Sequence, residues 1–185
     1  MSGGIGIDEQ KIWFLVINAL GGFAVIASYV AGLASHPNTE QLLWGRITPP
    51  LKSVYMVSMP LAAAGYLLFL YFILFQLDAG TVRIWGFDGF LVLDIIFMAI
   101  LVFSAFWMPL TYRLVDTQWQ GWWIYIRLVL FIVGLASLAL LCALLMISQK
   151  EPAWSYWLAV AGAAVFFIQT GIMDAFIWPA FFPYK

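Results

Sequence analysis

Long apolar runs alternate with short polar segments along the chain. The runs cover residues 12–34, 53–77, 87–111, 123–148 and 154–178. About 20 apolar residues suffice for a helix to cross a hydrocarbon core of about 30 Å, so each run is long enough to span a membrane. The runs lack the alternation of a membrane β-barrel, and irregular backbone is not tolerated in lipid. The pattern predicts an all-α membrane protein: one integral domain, residues 1–185, built as a bundle of five transmembrane helices.

The composition strengthens this prediction. Of the 185 residues, 65% are hydrophobic and 9% are charged, and the mean hydropathy is +0.99. A soluble domain of this size could not bury so much apolar surface, so membrane lipid is the predicted partner. The net charge of −1 gives no indication of nucleic-acid binding. Asp8 and Glu9 stand where a cleavable signal peptide would carry positive charge, so no such signal is expected.

Basic residues are unevenly divided between the two predicted sides of the membrane. We call the side that holds the N-terminus side A and the opposite side, which holds the first loop, side B. Side A receives Lys11, Arg83 and Lys150, and side B receives Arg46, Lys52, Arg113, Arg127 and Lys185. Because cytoplasmic segments carry the excess of Lys and Arg, side B and the C-terminus are predicted to be cytoplasmic.

The loop before the second run ends in two successive prolines. The segment reads Thr48-Pro49-Pro50, and Trp44 comes shortly before it. Proline has a fixed φ and no backbone N–H, so the chain is not expected to be helical through the pair. The prolines are therefore predicted to end a shaped loop and to set how the second run enters the membrane.

Small residues recur at helical spacing in three of the runs. They are Ala24, Ser28 and Gly32 in the first run, Ala139 and Ala143 in the fourth, and Ala159 and Ala163 in the fifth. Small residues four apart let two helix backbones approach closely. These faces predict contacts between helices, either inside the bundle or across a homodimer.

Charged residues inside the runs are the best candidates for functional residues, because a charge in lipid is costly. Asp94 lies toward side A, whereas Asp174 and Arg127 lie toward side B. Their depth allows Asp174 to pair with Arg127, or with Arg113 or Lys52. An ion pair that locks helices together is one interpretation. A polar anchor for a ligand and a proton-carrying carboxylate are the alternatives.

Two tryptophans lie at a depth that would let them share a cavity with Asp174. Trp178 follows Asp174 by four residues, so both project from one face of an α-helix. Trp107 ends the third run on the same side of the membrane. The three residues are predicted to line a side-B cavity with two aromatic walls and one polar group.

Catalytic and metal-binding patterns are not found in the sequence. His36 is the only histidine and Cys142 the only cysteine, so no metal-ligand spacing is present. Neither a phosphate-binding glycine loop nor a nucleophile elbow occurs. We therefore predict no catalytic residues and no metal site, and a protein that is more plausibly a non-enzyme.

Three short motifs and ten tryptophans resemble the translocator protein / tryptophan-rich sensory protein family. The motifs are Trp44 with Thr48-Pro49-Pro50, Ser104 with Trp107 and Pro109, and Thr170 with Asp174 and Trp178. Ala62-Ala63-Ala64-Gly65-Tyr66-Leu67 resembles a small-residue run of the second family helix. Ser104 and Asp174 stand where the family carries asparagine.

The resemblance implies a pocket that opens toward the first loop and binds a flat apolar ligand. Porphyrins, haem and sterols are the ligands of the family, which serves their transport or sensing. Porphyrin or haem is thus expected as a ligand, and no resident cofactor is predicted. The implied ligand-binding residues are Trp44, Pro49, Pro50, Tyr55, Ser104, Trp107, Thr170, Asp174 and Trp178. Lys52 and Arg46 at the rim could pair with propionate groups.

A different class of function is also compatible with the sequence. Small helical proteins with short loops and no catalytic residues often serve as accessory subunits of larger membrane complexes. Small-residue faces and minimal loops suit that role equally well. A transport role through Asp94 and Asp174 is a third interpretation, although the two carboxylates do not form a chain across the bilayer.

Overall fold

The computed structural model describes residues 5–37 and 39–183. In this part of the chain, five helices are long and apolar enough to cross a membrane. They are Ile5–Ser35, Pro49–Phe75, Gly89–Thr117, Gly121–Met146 and the composite helix Ala153–Phe181. We refer to them as the first to fifth spans. The prediction of an all-α, five-span membrane protein is confirmed, and Lys185 lies outside the described residues.

The second span begins at the proline pair itself, which corrects the prediction that the chain is not helical there. Pro49 and Pro50 are the first two residues of the helix, and Thr48 before them is extended, with ψ 152°. The first N–H groups of a helix have no acceptor within it, so proline loses no hydrogen bond at this position. The third span is also longer than expected and ends at Thr117 rather than at 111.

Short ordered segments connect the spans. A helix of five residues, Glu40–Trp44, lies in the first side-B loop, and we refer to it as the loop helix. On side A, the strands Arg83–Ile84 and Phe87–Asp88 form an antiparallel hairpin. The Asp88 carboxylate then caps the third span by accepting hydrogen bonds from two of its first backbone N–H groups.

The spans pack around the bundle in an order that differs from their order in sequence. The first packs against the third, the third against the fourth, the fourth against the fifth, and the fifth against the second. First and second spans meet at one polar contact, where the Tyr66 hydroxyl donates to Asn18 Oδ1. Spans from distant parts of the sequence therefore share the interior, and the side-B halves of four of them face one another.

Glycines bring the backbones of neighbouring spans close together. A Cβ atom at Gly65 of the second span would lie 2.6 Å from the carbonyl oxygen of Gly162 in the fifth. A Cβ atom at Gly134 of the fourth span would lie 2.9 Å from Gly171 Cα. Both distances are too short for a side chain, so these helices cross at glycine because only glycine fits.

The predicted small-residue faces are mostly inside the bundle. Ala143, Ala159 and Ala163 are fully buried, and Gly32 faces Met108 and Tyr112 of the third span. Ala24 is exposed. These faces therefore serve contacts between helices of one chain, except at Ala24.

Candidate functional site

Residues from four spans meet near the side-B end of the bundle. The rings of Tyr29 and Trp107 are 5.4 Å apart between centroids, and Trp107 lies 5.4 Å from Trp178 in an edge-to-face arrangement. Asp174 directly follows Met173, whose carbonyl oxygen accepts a hydrogen bond from the Tyr55 hydroxyl at 2.8 Å. We refer to Tyr29, Tyr55, Trp107, Asp174 and Trp178 as the aromatic–acid site.

The fifth span changes its helical geometry where it passes this site. Residues Ile168–Ile177 form a π-helix between two α-helical segments. Gln169 and Asp174 are five residues apart, which would put them about 140° apart around an α-helix. The wider π-helical turn brings them together, and Gln169 Nε2 donates to Asp174 Oδ1 at 2.8 Å. The unusual helix therefore orients the carboxylate.

Asp174 is held by a short chain of polar side chains. The Ser58 hydroxyl of the second span donates to Gln169 Oε1 at 2.6 Å, and Gln169 in turn donates to Asp174. The accessible surface of Asp174 is intermediate, neither fully buried nor exposed. The carboxylate thus has a fixed orientation and keeps part of its surface accessible.

The predicted ion pair between Asp174 and Arg127 is not formed, so that interpretation was wrong. Arg127 is exposed, and its guanidinium lies 6.0 Å from the ring of Trp123. Arg113 is exposed as well, and Lys52 Nζ lies over the ring of Trp44 at 4.8 Å. Within residues 5–37 and 39–183, the ion pairs are His36–Asp116 and Arg83–Asp88. Asp174 has no cationic partner there.

The first loop covers the side-B end of the site. Trp178 Nε1 donates to the carbonyl oxygen of Leu43 in the loop helix at 2.8 Å. Trp44 contacts Tyr55 edge-to-face, with 5.8 Å between ring centroids. Tyr55 is almost fully buried, and its hydroxyl donates to the Met173 carbonyl oxygen at 2.8 Å. The loop is therefore attached to both the second and the fifth spans.

The remaining predicted residues lie at varying distances from this site. Ser104 is half-buried on the third span, one turn before Trp107. The Thr170 hydroxyl instead faces the fourth span, 2.8 Å from Ser137 Oγ. Pro49 and Pro50 are exposed at the start of the second span. Their role is to begin that helix, and the structure does not bring them into the aromatic–acid site.

Tyr29 was not among the predicted site residues, although it contributes one wall. Its position in an apolar run gives no sign of its neighbours, because the first span packs against the third and not against the next in sequence. Gln169 was not among the predicted site residues either, because its bond to Asp174 depends on a π-helix that the sequence pattern does not reveal.

Comparison with known proteins gives no match. No family model, no curated protein and no solved structure matches the chain. The resemblance to the translocator protein family therefore stays a prediction, which depends on the short motifs around Pro49, Trp107 and Trp178.

Proposed function

We propose that this integral membrane protein binds a flat, largely apolar ligand of the porphyrin, haem or sterol class in the aromatic–acid site, for transport or sensing. One observation supports the proposal above the others. Four spans direct aromatic side chains toward one place under the first loop, together with a carboxylate that has no cationic partner among the described residues. Ligand sites typically combine apolar and aromatic walls with a few oriented polar groups.

An unpaired donor in the site also supports ligand binding. Trp107 Nε1 is buried and has no hydrogen-bond acceptor among the described residues. A buried donor without a partner costs about 1–3 kcal/mol. A hydroxyl or carboxylate oxygen of a ligand would satisfy it.

Two basic side chains near the rim of the site are suited to pair with an acidic ligand. Lys52 is half-buried beside Trp44, and Arg46 is exposed in the loop between the loop helix and the second span. Porphyrin propionates extend from the edge of a flat apolar ring, so a porphyrin with its ring against Trp107 would direct them outward. The same two cations are also suited to lipid phosphates.

Replacing Trp107 tests the proposal. Trp107→Ala removes an aromatic wall, and since aromatic contacts contribute about 0.5–1.5 kcal/mol beyond burial, we expect protoporphyrin affinity to fall about tenfold. The measurement is an absorbance titration of the purified protein. Trp157→Ala, which removes an exposed tryptophan of the fifth span, is the matched control and should bind normally. Normal affinity in a folded Trp107→Ala protein would refute the site assignment.

A second candidate function is that of an accessory subunit in a larger membrane complex. The first span favours it, because that helix packs chiefly against the third span. Its large exposed side chains include Trp13, Leu20, Phe23, Ile26 and Val30. Such a face suits either lipid or a partner helix. A protein that binds no porphyrin and purifies only as part of a large assembly would support this second function.

A further inference from the structure

A groove lies between the first and third spans at their side-B ends. Residues between 28 and 36 form one wall and residues between 109 and 116 form the other. None of the five residues of the aromatic–acid site lines it. Its volume of about 250 Å³ is below the roughly 300–1,000 Å³ of sites that enclose a drug-sized ligand, so the groove suits one end of a larger molecule.

The groove is apolar at its deeper end and charged at its outer end. Ala31 and Pro109 lie toward the membrane interior, whereas Arg113 and Asp116 lie in the last two turns of the third span. From Pro109 to Asp116 the third span rises about 10 Å, at about 1.5 Å per residue. Because the ends of a span lie near the lipid headgroups, the groove runs from headgroup level into the upper hydrocarbon region.

Two opposite charges face the groove without pairing with each other. Arg113 and Asp116 are three residues apart, which puts them on one face of the helix. The structure describes both side chains, and they do not form an ion pair. Asp116 instead contacts His36, whose Nε2 lies 3.2 Å from Asp116 Oδ1, and its side chain remains 53% exposed. The carboxylate can therefore accept further hydrogen bonds beside a separate guanidinium.

The acidic side of the groove is held in place by the His36 ring. This ring stacks on Tyr112 with 3.9 Å between centroids, and its Nδ1 lies 3.2 Å from the carbonyl oxygen of Gly32. The Tyr112 hydroxyl in turn lies 3.1 Å from Thr39 Oγ1 in the first loop. These contacts position the partner of Asp116 before a ligand arrives, which lowers the cost of binding.

We propose that this groove binds a glycerophospholipid with a zwitterionic phosphoethanolamine headgroup. The phosphate lies against the Arg113 guanidinium, the ammonium group donates to the Asp116 carboxylate, and one acyl chain follows Ala31 and Pro109. Both polar contacts are charge-assisted hydrogen bonds. An anionic glycerol headgroup would bring no cation to Asp116, and a choline headgroup has no N–H to donate. The proposal does not depend on the proposed function, because it concerns a different site.

Titration of the delipidated full-length protein with single lipids tests the proposal. Native mass spectrometry from detergent resolves each bound lipid and gives the Kd of the first. Phosphatidylethanolamine, phosphatidylglycerol and phosphatidylcholine with identical acyl chains are compared, and soluble phosphoethanolamine is the competitor that lacks chains. Arg113→Gln removes the guanidinium. Arg127→Gln is the matched control, because it makes the same change at an exposed arginine of the fourth span, outside the groove.

We expect one phosphatidylethanolamine to bind about tenfold more tightly than either other lipid. Arg113→Gln should weaken this binding about tenfold, since it removes a charge-assisted hydrogen bond, and Arg127→Gln should change it less than about twofold. Asp116→Asn should abolish the preference for phosphatidylethanolamine over phosphatidylglycerol, because the ammonium group loses its carboxylate.

Several results would overturn the proposal. Equal affinity for the three lipids, or equal losses in the two arginine variants, would show that the groove does not recognise the headgroup. Tighter binding of phosphatidylglycerol than of phosphatidylethanolamine would contradict the zwitterionic assignment. Competition by soluble phosphoethanolamine at concentrations similar to those of the lipid would show that a soluble ligand, and not a lipid, is the occupant.

Discussion

Two glycines of the first span have opposite surroundings, one crowded and one open. A Cβ atom at Gly32 would lie 2.5 Å from Met108 Cγ and 2.9 Å from Tyr112 Cε2, whereas a Cβ atom at Gly22 would meet nothing within 4 Å. The first glycine permits the close approach of the third span. The second lies at an open position. The two residues have the same helix propensity, so they separate the effect of packing from that of the backbone.

Substitution of these glycines by leucine gives a direct test of the contact. Gly32→Leu should lower the melting temperature, because overpacking a close contact costs about 1–3 kcal/mol. Gly22→Leu is the control and should be neutral or slightly stabilising, since leucine favours the helix more than glycine does. Thermal unfolding of both proteins in the same detergent gives the comparison. Equal melting temperatures would show that the first and third spans are not packed as described.

At the residue scale, only part of the site could be predicted from the sequence. Asp174, Trp107 and Trp178 were singled out because charge and aromatic residues are conspicuous in apolar runs, and the structure brings the rings of Trp107 and Trp178 within 5.4 Å of each other. Tyr29 was missed because its neighbours come from a distant span. Thr170 was expected in the site, but its hydroxyl donates to Ser137 Oγ of the fourth span and to the Phe166 carbonyl oxygen of its own helix.

At the scale of elements, the apolar runs predict the number and type of the spans but not their local geometry. The runs are long enough to span a membrane. They specify helices because a helix satisfies its backbone hydrogen bonds within one segment, as lipid requires. The proline pair was recognised as a boundary, although its place inside the first helical turn was not. The π-helix of the fifth span packs against the fourth span and also contacts the second, and a single-sequence pattern contains none of these contacts.

One side-chain hydrogen bond ties the second span to this π-helix. The Tyr55 hydroxyl donates to the Met173 carbonyl oxygen, which also accepts from the backbone N–H of Trp178. Tyr55→Phe removes only the first of these bonds, so we expect a loss of about 0.5–1.5 kcal/mol in the free energy of unfolding. Chemical denaturation in mixed micelles is the measurement. Tyr125→Phe alters an exposed tyrosine of the fourth span and should not change stability; a similar loss there would contradict the role given to Tyr55.

At the scale of the whole molecule, the order of the spans explains how distant motifs can form one site. The second and fifth spans are neighbours, as are the first and third, so side chains that are far apart in sequence meet in the side-B half. The loop helix then covers this half through Trp178 and Trp44. This order follows from packing between specific residues, whereas the number of spans follows from hydrophobicity alone.

Five crossings require that Glu9 and Pro183 lie on opposite sides of the membrane. In a Cys142→Ala background, single cysteines at Glu9 and Gly80 should react with a membrane-impermeant maleimide from one side. Cysteines at Arg46 and Pro183 should react from the other. All four positions are exposed, and all should react once detergent opens the membrane, which is the control for reactivity.

The same four variants test the orientation. Because basic residues favour a cytoplasmic side B, Arg46→Cys and Pro183→Cys should be protected in intact cells. Labelling of Glu9→Cys and Pro183→Cys from the same side would be incompatible with five spans, and protection of the Glu9 and Gly80 pair instead would reverse the orientation.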